Sequence, residues 1–337
     1  MRSFLKVFIV FIIFSTLGNK TIAQDYQPYK LEKIISLSGN GGYDYIAIDH
    51  KNSHLFVTHG SKVHIIDLKS EKPIATIEGM QGVHGVAIVN EVNKGFITDG
   101  LANAVIVFDL NNFNKVGTIP LSGKKCDAII YDPKSKYVFA FNGYSSNASV
   151  IDINMLKEIK VIDLGGAPEF AVSNGKGMIY NNLEDKSSLA VIDTKSLSVI
   201  HTYPLKPCGG PTGIDLDKKH NRLFTVCREN KGMSVLDPQT GRVIITIPIG
   251  AGVDAIEYDE KEELIFVSNG DGTATIIKQV SADEYKVIQT LSTENRAKTM
   301  AYDPATHKIY LSVPQFVANT RDIIPESFHV LVYKKAK

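Results

Sequence analysis

The chain carries little with which to build a covalent or metal-centred site. Only three cysteines occur in 337 residues, at positions 126, 208 and 227. They form neither a CxxC pair nor a Cys/His spacing of the zinc-binding kind, so a zinc centre is not expected. After residue 23 there is no run of 18 apolar residues, which excludes a hydrophobic transmembrane helix there. Charge of one sign is also missing: 37 basic residues face 36 acidic ones. Broad binding to nucleic acid or anionic lipid needs a concentrated basic field, and neither is expected as a partner. No nucleophile elbow, phosphate loop or dinucleotide fingerprint stands where its structural context would require.

The first residues read as a targeting segment. Arg2 and Lys6 precede the apolar stretch Val7–Phe14, and Thr21-Ile22-Ala23 supplies small residues for a cut after Ala23. The expectation is a signal peptide over residues 1–23 and a single domain over residues 24–337, exported to the periplasm or secreted, and monomeric. Without Arg2, Lys6 and Lys20 the balance becomes 34 basic to 36 acidic residues.

What the chain does have is repetition. One opening phrase returns seven times: Asp44-Tyr45-Ile46-Ala47-Ile48-Asp49, then from His84, Asp127, Glu169, Thr212, Asp254 and Lys298, at steps of 40, 43, 42, 43, 42 and 44 residues. Within each copy, short runs alternate at period two between turn residues, as strands do. A period of about 40–50 residues built this way reads as propeller blades, because one such sheet cannot bury both faces alone.

Each repeat supplies strands A to D, counted outward from the axis. Strand B ends in phrases such as Phe56-Val57-Thr58-His59, Phe96-Ile97-Thr98-Asp99 and Phe266-Val267-Ser268-Asn269, and strand C ends in an apolar residue plus Asp at 67, 109, 152, 193 and 237. Seven A, B and C strands fit between residues 44 and 333, but only six D strands do. The missing one is Leu31–Gly39, which has the D pattern and precedes the first A strand. The fold expected is all-β: a seven-bladed propeller of four-stranded antiparallel blades, its last blade closed by the N-terminal strand.

These strand B and strand C endings resemble the YVTN-repeat propellers, an exported bacterial group that includes YncE-like proteins. The resemblance spans essentially the whole chain after residue 23 and implies the propeller fold. It carries no catalytic motif to any position here. The fourth copy (Tyr180-Asn181-Asn182-Leu183) and the seventh (Tyr310-Leu311-Ser312-Val313) depart most from it.

In such a blade the D–A and B–C connections emerge on one face. Two rings should therefore crowd one mouth of the channel. The strand A starts are Asp44, His84, Asp127, Glu169, Thr212, Asp254 and Lys298; the strand B ends are His59, Asp99, Asn142, Leu183, Cys227, Asn269 and Val313. Loop-bearing faces of repeat scaffolds commonly hold functional pockets. Gathered carboxylates raise one another's pKa or recruit a cation. Asp127, Glu169 and Asp254 are the candidate metal ligands, and calcium is the ion their oxygens would suit. Neutralising Glu169 or Asp254 should relieve repulsion and leave stability intact.

The strand C aspartates read differently, as side chains that cap turns on the opposite rim. Cys208 and Cys227 belong to the mouth face, where an exported chain could bridge them or leave three small thiols. The long B–C loop Pro314–Ser327 projects over the mouth, either as a lid or as a packed surface loop. Two functions fit. One is a binding or interaction protein whose mouth holds a small ligand or a partner's segment; the other is a metal-assisted hydrolase resembling calcium-dependent lactonase propellers, whose motifs are not matched. A quinone-cofactor dehydrogenase is a weaker third, because such propellers stack their cofactor on tryptophan and this chain has none.

Overall fold

The computed structural model of the chain describes residues 27–336; the expected signal peptide, residues 1–23, lies outside them. Seven four-stranded antiparallel sheets are arranged as a seven-bladed propeller. Six blades use four consecutive strands, as in Tyr43–Asp49, His54–His59, Lys62–Asp67 and Lys72–Ile77 of blade 1. The seventh joins the chain ends. Its outer strand is Tyr29–Ser36, paired antiparallel with His329–Lys335 from Tyr29↔Lys335 to Ser36↔His329. Among the described residues no helix is long and apolar enough to cross a membrane.

The period-two pattern explains where the core sits. Phe56, Val63 and Ile65 of blade 1 pack with Val83, Val86, Ile97 and Phe108 of blade 2, and this face-to-face burial recurs around the ring. Each sheet therefore covers its neighbours' faces and leaves mainly its outer strand to solvent.

One local irregularity aims the functional side chains. In six blades strand A bulges at its start, between Tyr43 and Ile46, Val83 and Val86, Cys126 and Ile129, Pro168 and Ala171, Pro211 and Ile214, and Val253 and Ile256. A bulge breaks the ladder and re-aims a side chain. The first residue inside each bulge is the ring residue: Asp44, His84, Asp127, Glu169, Thr212 and Asp254. Carbonyls at the strand A starts that lie outside the ladder, in the bulges or just before strand A of blade 7, need new donors, and the strand B endings of neighbouring blades supply them. Thr98 Oγ1 donates to the Asp127 carbonyl at 2.6 Å, Asn182 Nδ2 to that of Thr212 at 2.7 Å, and Ser268 Oγ to that of Lys298. The polar residue near the end of strand B thus stitches blade to blade. Gly213 shows how close the seam is: a Cβ there would lie 2.7 Å from the Asp254 carbonyl oxygen.

The strand C aspartates cap turns as expected. Asp109 Oδ1 accepts from the Asn111 backbone N–H at 2.8 Å, Asp152 Oδ1 from that of Asn154 at 2.8 Å, and Asp237 Oδ1 from that of Gln239 at 2.9 Å. Cys208 and Cys227 are bridged, and Cys126 is a buried free thiol.

Candidate functional site

The strand A starts converge on one mouth and divide it into an acidic and a cationic half. On the acidic side His84 Nδ1 lies 2.6 Å from Asp44 Oδ2 and 3.5 Å from Asp127 Oδ1. Burial alone would lower the His84 pKa, but the Asp44 hydrogen bond and the Asp127 charge outweigh it and hold it above the usual value. Asp127 is pushed up to about 6, first by burial and then by Asp44. Its Oδ1 is buried without a hydrogen bond. Room for the imidazole comes from Gly100, where a Cβ would meet His84 Cδ2 at 2.8 Å.

Across the mouth, Asp254 is buried and saturated. Its Oδ1 accepts from Arg228 Nη2 at 2.6 Å and its Oδ2 from Lys298 Nζ at 2.7 Å. Burial would lower the Lys298 pKa, yet Asp254 and, farther off, Asp44 keep the ammonium charged. The other Arg228 nitrogen, Nη1, donates to Glu184 Oε1 at 2.5 Å. Glu169, between the halves, has its pKa driven up by burial and then by the charge of Glu184. A buried carboxyl beside another carboxylate stays protonated because the charged form is disfavoured twice.

The floor is aromatic. Position two of strand A is small in the other blades (Gly85, Ala128, Gly213, Ala255, Thr299), but blade 1 has Tyr45 and blade 4 has Phe170. Their rings meet with centroids 4.4 Å apart, and Tyr45 also packs against the buried core between blades 3 and 4, which includes Ala128. One ring from blade 1 thus reaches the opposite wall and floors the mouth. Toward the other end lie Asp215 and Glu257, whose pKa values are both raised by burial.

The strand B ends do not line the mouth. They are buried, because strand B stands one layer out and its side chains fall between blades. Most of their polar atoms bond within the fold; the amide oxygens of Asn142 and Asn269 are buried without a partner. His59 stacks on Phe328 at 4.0 Å and contacts His64 Nε2 through Nδ1 at 3.2 Å, while Asp99 accepts from the Gln81 and Gly82 N–H groups. Asn142 donates to Asn147 and Ser149, Asn269 donates to Thr273 and Thr275, and Cys227 is in the disulfide. Buried apolar Leu183 and Val313 complete the set.

Nor do Asp127, Glu169 and Asp254 assemble as one metal set: Asp254 is held by two cations and Glu169 faces Glu184. Among the described residues, the donor atoms that do cluster, within 4.8 Å of one another, are those of Asp44, His84 and Asp127. Two carboxylates and an imidazole suit a borderline divalent ion better than calcium, which prefers oxygen ligands throughout.

Glu184 and Arg228 belong to neither ring of expected site residues, though the sequence carries a signal for them. The residue after strand B is glycine at 60, 100, 143 and 270; only blades 4 and 5 place a charged side chain there, and the seventh has Pro314. The backbone N–H at this position donates to the same loop carbonyl in each case, from Gly60→Gly42 through Glu184→Ala167 and Arg228→Gly210 to Gly270→Gly252. The substitution therefore changes only what projects over the mouth.

The loop Pro314–Ser327 is a pinned hairpin. Val317 N–H donates to the Asp322 carbonyl and Ile324 N–H to that of Gln315, both at 2.9 Å, and Glu326 accepts from Gly39 N–H at 2.7 Å. Phe316 and Arg321 from this hairpin wall a cleft of about 530 Å³ with Tyr43, Arg228, Arg296 and Lys298.

No protein-family model matches the chain. It is similar to Antigen Lp49 of Leptospira interrogans, 36% identical over 198 residues, which cover 53% of this chain and 41% of that one. The chain thus spans less than half the length of that relative. Among solved structures it resembles a chain of the Kuenenia stuttgartiensis hydrazine synthase, with a TM-score of 0.72 and 13% identity over 88% of this chain and 96% of that one. That likeness is one of fold.

Proposed function

We propose that the chain is an exported YVTN-type propeller that binds a small ligand or a partner's segment in the floored mouth. The observation carrying this reading is that Tyr45 and Phe170 turn the channel entrance into a basin, while His84, Glu169, Arg228 and Lys298 stand partly exposed around it. A rigid pocket with a few convergent polar groups and perturbed titrations is the usual form of a small-molecule site. A thermal-shift screen with small polar metabolites tests it. Ligands that stabilise the wild type should lose most of that effect in His84→Ala and Glu169→Gln, and keep it in Asp193→Ala on the opposite rim. Equal responses in all three variants would refute the assignment.

A second reading, metal-assisted hydrolysis, draws on the Asp44, His84 and Asp127 donors. Elemental analysis of purified protein, with melting curves in zinc, manganese, calcium and chelator, separates the two. A stoichiometric ion whose loss follows Asp127→Asn would favour the hydrolase.

A further inference from the structure

The cationic half of the mouth holds more positive charge than the protein itself compensates. Arg228, Arg296, Lys298 and Arg321 line the cleft beneath the 314–327 hairpin, and Asp254 is the one carboxylate among its lining residues. Asp254 is shared between Arg228 and Lys298, and Glu184 takes the other Arg228 nitrogen. Among the described residues, neither Arg296 nor Arg321 has a carboxylate within ion-pair distance. The cleft therefore presents two unpaired guanidinium groups above a neutralised base.

Arg296 is held ready. Its guanidinium lies 4.3 Å from the centre of the Phe316 ring, and its backbone carbonyl accepts from Tyr43 Oη at 2.6 Å. Stacking on an aromatic face orients a guanidinium while leaving its N–H edge free to donate. Arg321 comes from the hairpin, whose backbone is pinned at Val317 and Ile324. Tyr43 and Phe316 thus position Arg296.

We infer that this cleft is the recognition site for a small organic dianion, a phosphate monoester or a dicarboxylate, bound between Arg296 and Arg321 with Lys298 and Arg228 beneath. The inference rests on the mouth being a ligand site and adds the chemistry of the ligand. Guanidinium forks match both oxyanions bidentately, and two unpaired positive charges favour two negative ones over one. The cleft's volume of about 530 Å³ admits a molecule of metabolite size.

Isothermal titration at low ionic strength with phenyl phosphate, inorganic phosphate, succinate and acetate tests this. The dianions should bind, acetate should bind at least tenfold more weakly, and added salt should weaken all of them. Arg296→Gln and Arg321→Gln should each weaken dianion binding roughly tenfold or more, and together abolish it. Neither side chain makes a structural ion pair and only the Arg296 contact with Phe316 is lost, so the variants should fold and melt within a few degrees of the wild type, which is checked first. Tighter binding of phenyl phosphate than of succinate identifies a phosphate ester, and the reverse a dicarboxylate. Absence of dianion binding, or binding unchanged in the double variant, overturns the inference. If a neutral or cationic compound instead stabilises the protein and depends on His84, the anion site is wrong while the mouth remains the ligand site. If nothing binds at the mouth, both fall.

Discussion

Asp254 and Lys298 are joined across the seam between blades 6 and 7 by a 2.7 Å ion pair, and Arg228 completes the bracket at 2.6 Å. This reverses the expectation that neutralising Asp254 relieves repulsion. Asp254→Asn leaves two cations facing one another. It should cost about 1–3 kcal/mol, less than a fully buried pair because Lys298 and Arg228 are partly solvated. Glu169→Gln should leave stability unchanged or raise it, since Glu169 already favours its neutral form. Urea denaturation of the two variants gives the order directly; equal losses would show that the halves of the mouth do not differ.

Asp127 and His84 set a pH dependence. A carboxyl whose folded pKa is raised from 3.8 to about 6 adds stability fully present below about 4 and lost as pH rises through about 6. His84, also raised, contributes in the same sense, its share fading only above its ordinary 6.5. Asp127→Asn should therefore match the wild type near pH 4 and exceed it by about 2–3 kcal/mol at pH 7. Melting curves at the two pH values check this, and a variant less stable at pH 7 would contradict it.

Ring closure depends on the first strand. Tyr29 is buried, its backbone N–H and carbonyl bond the Gln289 side chain at 2.9 Å each, and its ring meets Phe266 edge-on at 5.3 Å. Lys308 Nζ bridges Glu32 on that strand and Glu71 on blade 1, each at 2.5 Å. Deleting residues 24–40 should expose an unpaired edge and give aggregation or a melting-temperature loss larger than any single substitution. Lys308→Ala should cost about 1–3 kcal/mol. A truncated protein that melts like the full chain would refute this account of closure.

The Cys208–Cys227 bridge closes a span of 19 residues and should contribute about 3 kcal/mol through the unfolded state. Cys126 is buried and its thiol pushed up to about 12, chiefly by burial. Thiol labelling should find none in native protein, one after unfolding without reductant, and three after reduction. Three thiols in unreduced, unfolded protein would rule the bridge out.

Fold was legible because it is written redundantly: seven copies of strand A, and a D strand displaced to Leu31–Gly39, leave one way to close the ring. The site was legible only in part. Side-chain direction at the strand A starts depends on a bulge that the period-two pattern does not reveal, so the B ends looked equivalent to the A starts until His59, Asp99 and Asn142 proved buried. Arg228 and Glu184 could have been read from the repeat itself, as the charged departures from glycine after strand B. The Asp254 bracket could not, because it joins residues 26 and 44 positions apart through side-chain reach alone.

The central claim is that the floored mouth, and not the opposite rim, receives the ligand. Crystals soaked with a library of small polar and anionic fragments test it most directly. The opposite rim offers a cavity of about 650 Å³ between blades 7 and 1, lined by residues including His50, Glu71, Asp303 and Lys308, so the comparison is fair on volume. Fragments should gather above Tyr45 and Phe170, with anionic ones between Arg296 and Arg321. Density concentrated in the rim cavity, with the mouth holding only water, would contradict the account.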